Sequence, residues 1–173
     1  VNNVMLSATL GIVLIGTLYP LFAEAFGAKV SVGPPYFNPM TAIFVLPMLV
    51  VMAVGPLLRW RRDSFTRVRT GLVVPALLAI AAGLWVVSQC IIGVLPLLGI
   101  ALGVGLAVAS LLPLRGRILR RTPLATWGMV MAHFGIAVAL LGAASDSAFT
   151  QERLVAIRVG DTARVGPWAI ILK

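Results

Sequence analysis

An all-α polytopic membrane protein, with five transmembrane helices followed by the start of a small extracytoplasmic β domain, is predicted by three observations. First, 60% of the 173 residues are hydrophobic and only 11% are charged. Mean hydropathy is +1.05, and a soluble domain of this size cannot hide so much apolar surface. Second, the apolar residues gather into five runs, each long enough to cross a hydrocarbon core. Third, two short arginine-rich segments separate those runs, as topogenic loops beside spans do.

The first span is expected at 4–22, capped by Asn2 and Asn3 and ending near Tyr19-Pro20. The following loop contains Ser31-Val-Gly-Pro-Pro-Tyr-Phe-Asn38. Gly33-Pro34-Pro35 argues against helix there, and Tyr36 with Phe37 suits an aromatic belt or an outer contact surface. The second span, 39–58, contains Pro47 and Pro56, so a kink is expected where neighbouring helices satisfy the freed carbonyls. The third span is expected at 70–89 and the fourth at 92–114. In the fourth, Gly99, Gly103 and Ala107 recur every four residues and Leu111 continues the row. Such a small-residue stripe lets another helix approach closely, and plain packing is the preferred reading.

The fifth span, 126–145, carries a nearly continuous small face of Gly128, Ala132, Gly135, Ala139 and Gly142. Beside it Met129, His133, Ile136 and Leu140 repeat at helical spacing. The bundle is thus expected over 1–145 and the β domain over 146–173. Within the latter, 153–159, then Gly160-Asp161, then 162–172 read as a hairpin too small to stand alone. The chain enters its first span directly and stops in an alternating apolar stretch, 168–173; a piece of a larger or split protein is expected.

The formal charge of +9 does not make a nucleic-acid site. Segments 59–69 and 115–121 hold nine of the fourteen basic residues against the single acid Asp63. The other side holds Lys29, Arg153, Arg158, Arg164 and Lys173 against Glu24, Asp146, Glu152 and Asp161. The positive-inside rule then places 59–69 and 115–121 in the cytoplasm, with 23–38 and 146–173 facing outward. The lone cysteine, Cys90, builds neither an internal disulfide nor a CxxC pair. It is expected to be a packing residue.

His133 is the only histidine, and it sits in an apolar run. Ionisable groups inside a membrane face a bundle interior, find a partner and mark function by default. Three roles stay open from its position: a hydrogen bond across to a neighbouring helix, axial ligation of haem iron, and a proton relay or quinone contact. A low-spin haem needs a second strong axial ligand. Met129, one turn away on the same face, cannot reach the opposite side of the macrocycle, so that ligand belongs to another chain or to further sequence.

No other constellation carries chemistry. The five acids form no paired carboxylates, and there is no nucleophile–base pair, metal cluster or phosphate loop; catalytic residues are unknown. Ser7, Thr9 and Thr17 are expected to bond back to their own helix. Arg59 and Trp60 are expected to anchor the membrane surface, with pairing to a haem propionate or a quinone as the functional option.

Several motifs in order resemble the CcmF family, the membrane haem lyases of cytochrome c maturation. They are Asn2-Asn3-Val4 leading to Gly16-Thr-Leu-Tyr-Pro20, the Ser31–Asn38 loop, Gly55-Pro-Leu-Leu-Arg-Trp-Arg-Arg62, Trp127-Gly-Met-Val-Met-Ala-His-Phe-Gly135, and the stretch 151–161. The resemblance covers essentially the whole chain, as the C-terminal half of the family's membrane domain. It implies that His133 is one of two transmembrane histidines holding a haem b, with quinol as electron source. It implies a bacterial inner-membrane location, with 23–38 and 146–173 periplasmic. It also implies partners: the haem chaperone CcmE, CcmH- and CcmI-type subunits, apocytochrome c with its CxxCH thiols, the remaining part of the same lyase, and membrane lipid. The family's tryptophan-rich outer segment, its flanking outer histidines and the other transmembrane histidine are absent from residues 1–173. The NrfE type, dedicated to particular cytochromes, is similar. Two other classes fit the same residues: a quinone-linked cytochrome b electron carrier, and a non-catalytic transporter or scaffold subunit.

Overall fold

Where no water competes for backbone hydrogen bonds, a helix satisfies its own amides, and these apolar runs fold accordingly. The computed structural model describes residues 2–58, 65–89, 91–150 and 155–171. Among them are five helices long and apolar enough to cross a membrane: α1 (Asn2–Ala25), α2 (Pro34–Val54), α3 (Phe65–Gln89), α4 (Val94–Leu111) and α5 (Leu124–Phe149). Two strands, β1 (Thr162–Val165) and β2 (Trp168–Ile171), follow. The chain is a multi-pass integral membrane protein.

Several ends differ from expectation for physical reasons. Asn2 and Asn3 are the first residues of α1, which runs through Pro20 to Ala25. The Pro-Pro pair starts α2 rather than excluding it: the first helical turn has no intrahelical use for its N–H groups, and proline's fixed φ suits it. Pro39 and Pro47 stay inside α2, which gives way to a 3₁₀ turn (Gly55–Leu57) at Pro56. α3 begins at Phe65, so Arg67 and Arg69 are helical rather than loop residues. The Arg67 guanidinium donates to the Leu57 carbonyl at 2.8 Å, satisfying an acceptor at the close of the α2 segment. α5 runs on to Phe149, so Asp146 and Ser147 lie in its last turns.

α4 is the hub. Of its span 39% is buried, against 6% for α1, and it packs against α2, α3 and α5. Lipid gives no hydrophobic drive between helices, so close van der Waals fit has to hold them. The fit is visible at the glycines. A Cβ on Gly99 would lie 2.7 Å from the Ala144 Cβ, and one on Gly103 would lie 2.7 Å from the Leu141 Cγ. The stripe expected to admit a helix therefore admits α5. On another face of α4, a Cβ on Gly105 would sit 3.2 Å from that of Ala79 on α3. Leu49, Leu106 and Ala137 form the core where α2, α4 and α5 meet; Val86, Ile100 and Ala144 join α3, α4 and α5. α1 packs on α2, where Gly16 accepts the Phe37 and Tyr36 rings. Those two aromatics contact α1 rather than only an outer surface. Leu10, Phe22, Leu77, Leu84 and Trp85 are each more than half exposed, as lipid-facing residues are.

The hairpin is not the expected one. β1 pairs antiparallel with β2 in the register Val165↔Trp168, so the turn is Gly166-Pro167. Residues 155–158 form no strand, and 151–154 lie outside the described residues. Gly166 has φ +58°, the left-handed value that the first central position of a two-residue hairpin turn demands. At Gly160-Asp161 the Asp161 carboxylate instead accepts from the Arg158 N–H at 2.9 Å, closing a local turn. Gly166→Ala is expected to cost the hairpin about 1 kcal/mol or more through the left-handed penalty. Faster amide exchange across both strands checks it.

Candidate functional site

His133 is the tenth residue of α5's 26, which puts it about 5 Å from the helix midpoint at 1.5 Å per residue. Its Nδ1 lies 2.9 Å from the Met129 carbonyl oxygen one turn back. A carbonyl only accepts, so Nδ1 carries the proton and donates. The lone pair therefore sits on Nε2, the arrangement that orients a ligating imidazole and raises its basicity. Nε2 has no partner among the described residues. No side-chain nitrogen or oxygen is both buried and unpartnered among them, so Nε2 reaches the surface of this bundle.

The rest of α5 fixes where that surface lies. Val130, Ala137 and Ala144 are buried, seven residues apart, and face α4. His133 lies roughly 50° around the helix from that line. The small face is on the far side, and a Cβ on Gly128, Gly135 or Gly142 would meet nothing within 4 Å. Met129 and Leu140 are half-buried beside His133, and Ile136 is exposed. An imidazole whose lone pair reaches the bundle surface fits axial ligation of haem iron, whereas the open glycine face lies about 150° around α5 from it. The bond His133 makes lies within its own helix rather than across to a neighbour.

A cleft of about 360 Å³ opens between α2, α4 and α5. Its walls include Phe37, Leu46, Pro96, Leu140 and Ala144, and its polar groups are Asn38, Thr41 and Ser147. Leu140 is two turns from His133 on the same flank, about 10 Å along the axis. Sequence reasoning missed this cleft. Asn38 and Thr41 start one helix and Ser147 ends another, so no spacing joins them, and by its polarity Ser147 reads as part of the outer segment.

The remaining expectations fall as follows. The Thr9 hydroxyl donates to the Met5 carbonyl at 2.9 Å, and that of Thr17 donates to Val13 and Leu14 carbonyls; both bond back to their own helix. Buried Ser110 is satisfied the same way by Ala107. Among the described residues no group of three or more His, Cys, Asp or Glu side chains could hold a metal ion. Cys90, Arg59 and Trp60 lie outside the described residues.

Fold and site together define a polytopic helical membrane protein with a single imidazole at the surface of its last span. Among known proteins, the cytochrome c-type biogenesis protein CcmF of Haemophilus influenzae is 34% identical over 177 residues, 95% of this chain and 27% of that protein. CcmF of Pseudomonas fluorescens is 38% identical over 93% of this chain and 26% of its own length. The cytochrome c-type biogenesis protein NrfE of Haemophilus influenzae is 26% identical over 87% of this chain and 24% of its own. This chain belongs to the CcmF family. It spans about a quarter of the length of the curated relatives it matches. No family model and no solved structure matches it.

Proposed function

We propose that this chain is the part of a cytochrome c haem lyase that supplies one axial ligand, His133, to a haem b. The lyase as a whole reduces incoming haem and attaches it to the CxxCH thiols of apocytochrome c. The observation that carries the reading is the Nδ1–H donated to the Met129 carbonyl, which leaves Nε2 with its lone pair free at the surface of the bundle. Haem bound there supplies a one-electron couple inside the membrane. The protein's own contribution is to fix the tautomer through Met129 and to surround the ligand with apolar walls that set the potential.

The second ligand and the catalytic site belong to the three quarters of the relatives' length that this chain does not span. There too belong the surfaces for the haem chaperone CcmE and the CcmH- and CcmI-type subunits. The proposed setting is the bacterial inner membrane, with the arginine loops cytoplasmic and the β-hairpin periplasmic, as the charge asymmetry supports.

A quinone-linked cytochrome b electron carrier is the second reading, favoured by the apolar cleft with an amide and two hydroxyls, whose wall includes Leu140 two turns from His133. One experiment separates them. The assembled lyase, given reduced haem and a CxxCH peptide, is expected to yield haem that resists acid–acetone extraction from the peptide. A b-type spectrum without any covalent product would leave the carrier reading in place.

A further inference from the structure

We infer that the α4–α5 turn is a docking surface for anionic phospholipid. Arg115, Arg117, Arg120 and Arg121 are all exposed, and none has an ion-pair partner among the described residues. Between the two arginine pairs stand Ile118 and Leu119, 65% and 55% exposed, and α5 then begins at Leu124, 87% exposed. The segment is a folded turn rather than a loose tether. Gly116 takes φ +74°, and the Arg117 N–H donates to the Leu114 carbonyl at 3.1 Å. The Arg121 N–H donates to the Ile118 carbonyl at 2.9 Å, and Leu119–Arg121 form a 3₁₀ turn. The Thr122 hydroxyl bonds the Ile118 carbonyl as well, at 3.2 Å.

An orientation signal requires only positive charge near a span. It requires neither a folded backbone nor two apolar side chains held out between guanidinium pairs. Those features have a use at the depth where the turn must lie, since both flanking helices cross the membrane. There Ile118 and Leu119 enter the acyl boundary while the guanidiniums sit at headgroup level. Guanidinium forks bind phosphate oxygens bidentately, and a net negative headgroup layer attracts each basic residue further. The partner is therefore a lipid whose headgroup keeps a net negative charge, such as phosphatidylglycerol. It is not a zwitterionic lipid, where a choline cancels the attraction. The inference is independent of haem ligation at His133, and either can fail alone.

The test is lipid binding to the full 173-residue chain in detergent, followed by native mass spectrometry with phosphatidylglycerol, phosphatidylcholine and inorganic phosphate as probes. Phosphatidylglycerol is expected to bind in preference to phosphatidylcholine, and inorganic phosphate to leave that binding unchanged. Arg120→Gln/Arg121→Gln is expected to weaken phosphatidylglycerol binding roughly twenty-fivefold, about fivefold for each charge. Ile118→Ser/Leu119→Ser, which keeps every charge, guards against misfolding of the charge variant. It is expected to weaken phosphatidylglycerol binding with helical content intact. Equal binding of the two lipids, displacement by inorganic phosphate, or wild-type affinity in both variants would overturn the inference.

Discussion

Gly103→Leu is expected to force α5 away from α4 and to destabilise the bundle by about 3 kcal/mol, the upper end of the ordinary cost of overpacking. A Cβ alone at this position would lie 2.7 Å from the Leu141 Cγ, 2.8 Å from its Cδ2 and 3.5 Å from the Ala137 carbonyl. A loose interface would let Leu141 rotate aside, but Ala137 is wholly buried and belongs to the α2–α4–α5 core, so the backbones have to separate. Lost contacts then have no hydrophobic effect to offset them, because the bilayer is as apolar as the interface. Gly135→Leu is the matched control. It sits on the same pair of helices, but nothing lies within 4 Å of its would-be Cβ, so the isolated chain is expected to keep wild-type stability. Unfolding in a graded detergent series reads both, and equal losses would show that the packed and open faces of α5 are wrongly assigned.

His133→Ala is the second large effect, and it falls on the cofactor rather than the fold. Haem content of the assembled lyase is expected to drop at least tenfold, on the order of the affinity that one imidazole–iron bond with its oriented Nδ1–H confers. Stability is expected to change by no more than about 1 kcal/mol. The side chain is only half-buried, and its one hydrogen bond goes to a carbonyl of its own helix, a net contribution of that size at most. Haem extracted and quantified as the pyridine complex gives the first number, and a thermal melt gives the second. A variant that loses haem together with its fold would speak for packing instead of ligation.

The five spans were legible because hydrocarbon imposes one rule on every residue they contain: long apolar runs must be helical. Gly99 and Gly103 were legible as a helix contact for a similar reason, since small residues at four-residue spacing have little use except close approach. Helix ends were less legible. Charge and proline mark where a chain leaves lipid, whereas a helix ends where its hydrogen bonds end; hence Arg67 and Arg69 inside α3 and Pro34-Pro35 opening α2. The sequence puts the hairpin one turn too early because Gly160-Asp161 and Gly166-Pro167 are both good turn pairs, and only pairing partners tell them apart. At the candidate site, His133 stands out from the sequence by its chemistry, an imidazole alone among apolar neighbours. Its tautomer does not, because it depends on which nitrogen meets the Met129 carbonyl. The cleft at Asn38, Thr41 and Ser147 was invisible because tertiary packing alone brings two distant helices to it.

The most direct measurement is a dithionite-reduced minus oxidised visible spectrum of the assembled lyase carrying His133→Gly, recorded with and without free imidazole beside the wild type. Ligation of haem iron by His133 requires a b-type band in the wild type, its loss in the variant, and its return when imidazole fills the vacated position. A band that persists in the variant without imidazole, or a wild type with no haem band at full haem supply, would contradict it.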